Sequence, residues 1–246
     1  MTQVLVFAPH PDDETLGCGG SIAHHTARGR CVNIVFLTSG EQGVADTGPQ
    51  LAGGLREREA QAAAGKLGVA PGNVHFLRFP DGGLNPMDRA QFLQVLRTVR
   101  QLRPEVVYLP HAADASHDHQ QAFRLVWRGL EKCASGSYPQ AGSRHWVGTV
   151  LAYEVWSAIG TPSFLQHLAP VHLDAKRAAL SCYSTQVKGV GEADYAGEGG
   201  IALTRFRGAM SVGGHCEAFA VPRCPRRARQ GVGQWSQRAD PPHVRR

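Results

Sequence analysis

Two clusters of ionisable side chains lie close to apolar runs of the sequence. The first cluster, residues 10–14 (HPDDE), follows the apolar run 4–8, and the second, residues 114–119 (DASHDH), follows another run that ends at Leu109. Imidazole and carboxylate groups together suit zinc, and a catalytic zinc site has three protein ligands and one position left for water. We therefore predict one metal site formed by His10, Asp13 and a histidine of the second cluster. A polar turn without chemical function is the alternative for the first cluster.

Apolar runs typical of buried strands alternate along the chain with helical patterns. This order predicts an α/β fold in a single domain, with a Rossmann-like, mostly parallel sheet flanked by helices. Ligands bind such sheets beyond the carboxyl ends of the strands, so both clusters are expected in one crevice. The predicted strands are 4–8, 32–37, 74–77, 106–109 and 147–156, with a last ordered segment at 217–221, and the predicted helices are 15–29, 55–67, 88–102, 120–130, 174–183 and 201–210.

The charge excess of the chain is confined to its last residues. The 246 residues carry a formal charge of +6, but seven arginines oppose one acid from Pro222 onward, so residues 1–221 hold 19 basic and 19 acidic groups. We therefore predict a globular domain over 1–221, a basic and disordered tail over 222–246, and no nucleic-acid partner. No apolar run reaches the ~20 residues of a membrane span, and the N-terminus does not read as a secretory signal. These features predict a cytoplasmic protein with reduced cysteines.

The first cluster and the glycines that follow it resemble the signature of the PIG-L/LmbE-like family of zinc-dependent N-acetylglucosaminyl deacetylases. The most specific part of the resemblance is 8–14 (APHPDDE) with 16–20 (LGCGG), and shorter motifs follow in the family's order as far as 217–219 (EAF). The resemblance covers residues 3–221. It implies hydrolytic N-deacetylation of an N-acetylated amino sugar or glycoside of the GlcNAc type, with release of acetate. It leaves the aglycone of this small-molecule sugar conjugate open.

The resemblance also implies roles for the residues of both clusters. His10, Asp13 and His119 would bind one zinc ion, and Asp12 would be the general base that takes a proton from the attacking water. This agrees with the chemistry of the residues, because a carboxylate beside a zinc site that does not bind the metal can accept that proton. Glu14 is expected to stabilise the loop.

The second cluster departs from the family in one position. The family usually has His-Pro-Asp-His, in which the first histidine polarises the carbonyl or protonates the leaving amine, whereas Ser116 occupies that position here. We predict that His117 takes this role, with Asp118 orienting an imidazole. His111 and His215 remain alternatives.

Arg56 and Asp81 match family positions that resemble contacts to sugar hydroxyls. An exposed ion pair between Arg56 and Glu59 on one helix is the alternative reading. Residues 41–55 and 138–146 are expected to form the loops that select the substrate.

Two rival functions are open at the level of sequence. A sugar-binding or regulatory protein that has lost turnover is conceivable because of Ser116. A nucleotide-binding protein that uses the glycines at 17, 19 and 20 is a weaker hypothesis, because they lie nine residues beyond the strand. His24 and His25 are expected to lie on a solvated helix face.

Overall fold

The computed structural model describes residues 2–187, 198–211 and 213–222. Within these residues, one sheet is flanked by α helices. The predicted tail from 223 onward lies outside the described residues, so the domain boundary near 221 stays a prediction. The strands are β1 (Gln3–Ala8), β2 (Cys31–Thr38), β3 (Val74–Phe79), β4 (Val106–Pro110), β5 (Thr149–Tyr153), β6 (Phe164–His167) and β7 (Cys216–Ala220), and the helices are α1 (Asp13–Ala27), α2 (Pro49–Lys66), α3 (Arg89–Leu102), α4 (His117–Cys133), α5 (Pro170–Leu180), α6 (Ser184–Val187) and α7 (Gly200–Ala209).

The sheet has the order β3-β2-β1-β4-β5-β7-β6. Strands β1 to β5 run parallel to their neighbours within this set, and β7 runs antiparallel to both β5 and β6. The chain winds outward from β1 to β3 and then crosses to the other side of β1 to begin β4. The connections that follow β1 and β4 leave in opposite directions, which opens a crevice at the carboxyl ends of these strands. The predicted Rossmann-like, mostly parallel sheet is confirmed.

Strand β1 is buried on both faces, which explains its uninterrupted apolar sequence. Val4 and Val6 belong to the core under α1, α2 and α5. Leu5 and Phe7 point to the opposite face and pack with residues of α3 and α4. This alternation places the end of β1 in the middle of the molecule, so the cluster that follows it starts from a rigid position.

Several predicted boundaries differ from the structure. Strand β5 ends at Tyr153, because the chain then leaves the sheet to form a loop at the crevice. Strand β6 was not predicted, since it has only four residues and none of them is fully buried. Helix α3 begins as predicted, with the Asp88 side chain accepting hydrogen bonds from the backbone of Ala90 and Gln91. No helix among the described residues is long and apolar enough to cross a membrane.

The prediction for the loop 138–146 is wrong. Helix α4 carries the chain from the carboxyl end of β4 back to its amino end, and the loop lies there, far from the crevice. His145 Nε2 is 2.7 Å from the carbonyl of Pro104, just before β4. The guanidinium of Arg100 donates to backbone carbonyls of this loop, including those of Tyr138 and Gly142. The segment therefore closes the amino edge of the sheet.

Helix α1 is broken at Cys18, which has the non-helical angles φ −146° and ψ 24°. The glycines around the break permit close packing: a Cβ on Gly17 would overlap the ring of Tyr153, and one on Gly20 would overlap Leu168. These buried glycines lie inside a helix instead of in a phosphate-binding turn. The nucleotide-binding hypothesis is therefore not supported by their position.

Candidate active site

The two predicted clusters meet at the crevice between the ends of β1 and β4. His10 follows β1 and Asp13 begins α1, while His119 lies in the first turn of α4. His10 Nδ1 lies 3.2 Å from Asp13 Oδ2, and His119 Nε2 lies 3.2 Å from the same oxygen. The three residues that the resemblance implies as ligands are therefore brought together by the fold, and their donor atoms converge.

The donor set fits a divalent metal ion. Both ring nitrogens of His119 are buried and make no hydrogen bond, although Nε2 faces Asp13 and Nδ1 lies 3.3 Å from Asp114 Oδ1. A tetrahedral ion with bonds of about 2.0–2.1 Å would separate its ligand atoms by about 3.3 Å. The two separations from Asp13 Oδ2, 3.2 Å each, match this value, and an ion would supply the partner that the buried His119 Nε2 lacks.

The electrostatics of the centre also favour a cation. Burial lowers the pKa of both histidines, but the neighbouring carboxylates raise it by more. Asp118 and Asp13 raise the pKa of His10 well above its ordinary value, and Asp13 and Asp114 raise the pKa of His119 to about 9. Burial would raise the pKa of Asp13, but the imidazoles lower it below its usual range. A metal ion would therefore compete with protons for these ligands.

Further carboxylates orient the two imidazoles from outside. His10 Nε2 lies 3.1 Å from both Asp118 Oδ2 and Asp81 Oδ1, and Asp118 also accepts a hydrogen bond from the backbone of Gly82. Asp118 therefore lies against an imidazole, as expected, and that imidazole is the one of His10. Asp114, which the sequence analysis left without a role, faces the ring of His119 on the side away from Asp13. Carboxylates behind metal-binding histidines fix the tautomer and orientation of the ring.

Asp12 lies beside the donor set in an unusual backbone conformation. It precedes α1 with φ 122° and ψ −31°, a region that non-glycine residues rarely adopt. Its carboxylate accepts a hydrogen bond from Arg56 Nη2 at 3.0 Å, and its side chain keeps 13% of its surface exposed. Burial raises the pKa of Asp12 to about 7 against the opposing charge of Arg56. A carboxyl group with a pKa near neutrality can act as a general base at physiological pH.

Glu14 stabilises the loop 10–14 through hydrogen bonds that its carboxylate accepts. Its carboxylate accepts hydrogen bonds from the Tyr183 hydroxyl at 2.5 Å, from the Thr15 hydroxyl, and from the backbone of Asp12 at 3.2 Å. Through Glu14, Tyr183 is connected to the first cluster although it is 169 residues away in the chain.

Arg56 and Glu59 do not form the exposed ion pair that was the alternative reading of their spacing. Arg56 is 4% exposed and points to the crevice, where it contacts Asp12. Glu59 accepts hydrogen bonds from the Ser184 and Thr185 side chains and from the backbone of Thr185, at the start of α6. Each residue therefore connects α2 to a different part of the molecule.

Asp81 lies at the carboxyl end of β3, on the side of the crevice away from β4. Besides its contact with His10, its Oδ2 accepts a hydrogen bond from the backbone of Gln42 and its own backbone N–H donates to Glu41 Oε1. The predicted contacts of Arg56 and Asp81 with a sugar stay predictions.

The histidines considered for the missing family position occupy different environments. His117 is exposed at the first residue of α4. His111 is buried, and its Nε2 donates to the backbone and side-chain oxygens of Ser157 at 3.0 and 3.1 Å. His215 Nδ1 lies 2.9 Å from the Thr204 hydroxyl, in the packing of α7. His117 thus has the most accessible imidazole of the three.

His25 is buried, which corrects the expectation of a solvated face. Its Nε2 lies 2.9 Å from the hydroxyl of Tyr108, and Arg30 Nη1 lies 3.1 Å from its Nδ1. Because α1 is covered by the sheet on this side, the imidazole is buried against the ring of Tyr108 on β4.

Two cavities border the crevice. The larger, of about 430 Å³, is lined by polar groups that include Ser39, Glu41, Glu57 and Arg78. The smaller, of about 210 Å³, lies on the β5 side, where Leu16, Glu154 and Trp156 are among the residues that line it. Residues of the predicted loop 41–55 line the larger cavity, although the segment from Pro49 onward is the first part of α2 instead of a loop. Its role in selecting the substrate stays a prediction.

Comparisons with known proteins agree with this site. The family model PIG-L, described as GlcNAc-PI de-N-acetylase, matches residues 5–129. The chain is 30% identical over 242 residues to 1D-myo-inositol 2-acetamido-2-deoxy-alpha-D-glucopyranoside deacetylase of Rhodococcus opacus (strain B4), with 75% of this chain and 82% of the relative covered.

Solved structures with the same fold include proteins of different activity. The conserved protein TT1542 from Thermus thermophilus is 34% identical with a TM-score of 0.79, over 91% of this chain and 95% of that chain. GalB, the 4-carboxy-2-hydroxymuconate hydratase from Pseudomonas putida KT2440, is 22% identical with a TM-score of 0.74, over 92% and 99%. At this identity GalB shows the fold alone, so the reaction must be argued from the site.

A Rossmann-like sheet with converging His, Asp and His donors, and with the Asp12 carboxylate beside them, fits the class of hydrolases that use a metal ion. Within that class the sequence matches one family over half of its length and one curated relative over most of its length. The chain belongs to the PIG-L family, and it is an amide hydrolase of the deacetylase type.

Proposed function

We propose that this protein removes the acetyl group from an N-acetylated amino sugar conjugate of the GlcNAc type, with one zinc ion held by His10, Asp13 and His119. The observation that carries the proposal is the convergence of these three donors beside Asp12, a carboxylate outside the donor set. The activity of the Rhodococcus relative, which acts on an acetamido sugar linked to inositol, supports the substrate class.

The chain's own residues account for each proton transfer. A bound divalent ion supplies polarisation of the amide carbonyl and acidification of a water molecule. Asp12 accepts a proton from the attacking water as the new C–O bond forms. It then returns a proton to the nitrogen as the C–N bond breaks, which yields acetate and the free amine. Asp114 and Asp118 hold the two imidazoles in place during both steps.

The group that acts on the carbonyl oxygen is assigned to His117 as part of this proposal. His111 is already bonded to Ser157, and His215 is bonded within the packing of α7. We expect His117→Ala to retain the metal and to lower kcat by about 10²-fold, the effect of losing one such group. Full activity of this variant would move the role to Ser116, His111 or His215.

The larger cavity is proposed to receive the rest of the substrate. Its Glu41 and Glu57 carboxylates have further acceptor capacity beside the bonds that Glu57 accepts from Ser39 and Arg78, and such acceptors suit a polyhydroxylated aglycone. Glu41 also contacts the backbone of Asp81, whose carboxylate reaches His10, so the cavity adjoins the metal side of the crevice. The cytoplasmic location and the absence of a nucleic-acid partner stay predictions.

The test is metal analysis and acetate release on the same purified sample. N-acetylglucosamine linked to inositol, to a second sugar and to a simple alkyl group would be compared, before and after chelation and after zinc is restored. We expect about one zinc per chain and acetate release that chelation abolishes. Sugar binding without acetate release would favour the non-catalytic alternative, and a chain without metal affinity would contradict the proposal.

A further inference from the structure

We propose that Arg78 determines which aglycone the enzyme accepts, by donating hydrogen bonds to hydroxyl groups of the aglycone in the larger cavity. The inference rests on the proposed function, because it concerns the part of the same substrate that lies beyond the acetylated sugar. It assigns Arg78 to the binding of the substrate and gives it no part in the proton transfers.

Arg78 has a backbone conformation that a residue with a side chain does not favour. It lies in β3 at φ 54°, one residue before the strand ends at Phe79. Residues with a Cβ seldom adopt this left-handed region, and glycine would occupy it without strain. Strain of this kind is concentrated at catalytic and ligand-binding sites, where the surrounding structure maintains it. The conformation of Arg78 therefore points to a role that glycine could not fill.

Glu57 of α2 holds the guanidinium of Arg78 by one edge. Arg78 Nε donates to Glu57 Oε1 at 2.8 Å, and Arg78 Nη2 donates to Glu57 Oε2 at 2.9 Å. Burial would raise the pKa of Glu57, but the hydrogen bonds from Arg78 and Ser39 lower it, so the carboxylate stays ionised. The second edge of the guanidinium, which begins at Nη1, makes no hydrogen bond within the described part of the chain, and the side chain is 67% exposed. This edge keeps donors for a ligand.

The pair lines the cavity of about 430 Å³, together with Ser39 and Glu41. A ligand hydroxyl can accept a hydrogen bond from the guanidinium and donate its own proton to a carboxylate. Neighbouring hydroxyl groups therefore match the donors and acceptors of the pair. An anionic aglycone would face two carboxylates, Glu41 and Glu57, against the one guanidinium of Arg78, so neutral hydroxyl groups fit the charge of the cavity better.

A glycine of α2 leaves space in the same cavity. Gly54 lies inside the helix and lines the cavity, although glycine inside a helix is less stable than alanine. A Cβ on Gly54 would meet only the Arg58 side chain, at an ordinary contact distance of 3.6 Å, so packing does not require glycine there. The preceding Gly53 differs, because its Cβ would lie 3.2 Å from Ser39 Cβ. Room for a ligand explains Gly54.

The test compares two substrates that differ only in the aglycone, N-acetylglucosamine linked to inositol and its methyl glycoside. Arg78→Gly removes the guanidinium and suits the backbone, and Gly54→Leu fills the cavity with a residue that favours the helix. Gly65→Leu is the matched control on α2, because a Cβ at Gly65 meets nothing within 4 Å and Gly65 is not among the residues that line the larger cavity.

We expect wild type to prefer the inositol conjugate. Arg78→Gly and Gly54→Leu should each lower the ratio of kcat/KM for the inositol conjugate to kcat/KM for the methyl glycoside by about 10-fold, the effect of losing a hydrogen bond to a charged group. The change should appear as a higher KM for the inositol conjugate, and Gly65→Leu should keep the wild-type ratio. Equal losses on both substrates would make the effect structural and overturn the inference.

The thermal stability of the variants excludes a purely structural role for Arg78. Arg78→Gly should keep a Tm close to that of wild type, because glycine suits the backbone at φ 54° and an exposed ion pair contributes little to stability. A clear fall in Tm with an unchanged substrate ratio would make Arg78 a structural residue and contradict the inference.

A measurement of binding separates this inference from the proposed function. Calorimetry gives the affinity of the Asp12→Asn protein, which should not turn over, for the inositol conjugate and for the methyl glycoside. Adding Arg78→Gly should weaken binding of the inositol conjugate about 10-fold more than binding of the methyl glycoside. This result without acetate release by wild type would overturn the proposed function and leave the role of Arg78 supported. Equal weakening with acetate release would overturn the role of Arg78 alone.

Discussion

Glu217 on β7 and Lys176 on α5 form a buried ion pair, with Lys176 Nζ 2.8 Å from Glu217 Oε1. Lys176 also donates to the carbonyl of Leu16, and Glu217 accepts hydrogen bonds from the backbone N–H groups of Gly20 and Ser21. A helix end leaves such carbonyl and N–H groups without partners. The pair therefore satisfies both sides of the break in α1.

This arrangement connects the last strand to the metal centre. The first half of α1 begins with Asp13, and its direction depends on where the helix is broken. Because Lys176 and Glu217 hold the two halves, the packing of α5 and β7 helps to set the position of Asp13 in the crevice.

Removing one partner of the pair should therefore destabilise the fold. We expect Lys176→Met to lower the free energy of unfolding by about 3–5 kcal/mol, because it leaves a buried carboxylate without its cation. The double variant with Glu217→Gln should be less destabilised than this single variant. Urea denaturation checks both values, with the exposed Lys132→Met as control. A loss below about 1 kcal/mol for Lys176→Met would show that the pair contributes little.

The adjacent carboxylates Asp12 and Asp13 should have separable effects. Asp13→Ala removes one of three proposed ligands, so zinc affinity and acetate release should fall together. Asp12→Asn keeps its size but cannot accept the proton, so the variant should bind zinc while its rate drops by roughly 10²- to 10⁴-fold. Metal content and acetate release are measured side by side. An Asp12→Asn variant without zinc and an Asp13→Ala variant with zinc would reverse the assignment.

Asp114 should tune metal affinity through His119. We expect Asp114→Ala to weaken zinc binding by about 10- to 100-fold, as found when carboxylates behind metal-binding histidines are removed. The measurement is competition with a chelator on metal-free protein, so it does not depend on turnover. Asp174→Ala is the control, because Asp174 is exposed and pairs with Arg177 on α5. Equal affinities of Asp114→Ala and wild type would remove Asp114 from the metal centre.

His25 should make stability depend on pH. Burial, together with the charge of Arg30, lowers the pKa of His25 to about 3, whereas an unfolded histidine has a pKa of about 6.5. Below pH 6.5 the imidazole of His25 binds a proton in the unfolded chain but stays neutral in the folded protein. The contribution of His25 to the free energy of unfolding therefore falls as pH decreases. The loss is about 1.4 kcal/mol per pH unit until pH about 3. Urea denaturation at pH 7 and pH 5 should show a smaller decrease for His25→Gln than for wild type, and equal decreases would contradict the assignment.

The order of strands and helices, the family and the identity of the candidate donors could be read from the sequence. Buried parallel strands produce continuous apolar runs, and the first cluster consists of neighbouring residues directly after one such run. Both features depend only on residues that are neighbours in the sequence. Strand β6 was missed because its four residues, none of them fully buried, carry too weak a pattern. The loop 138–146 was misplaced although it follows a predicted helix and precedes a predicted strand, an order that puts a connection at the amino ends of parallel strands.

Only the tertiary structure decided which partner each charged residue has. Arg56 and Glu59 lie three residues apart on α2, yet Arg56 meets Asp12 and Glu59 meets the start of α6. Asp118 orients His10, which is 108 residues earlier in the chain. The sequence determines which polar groups are buried when the strands and helices that carry them pack together. Their hydrogen-bond partners come from segments far apart in the chain, and only the order and packing of the strands bring those segments within about 3 Å of each other.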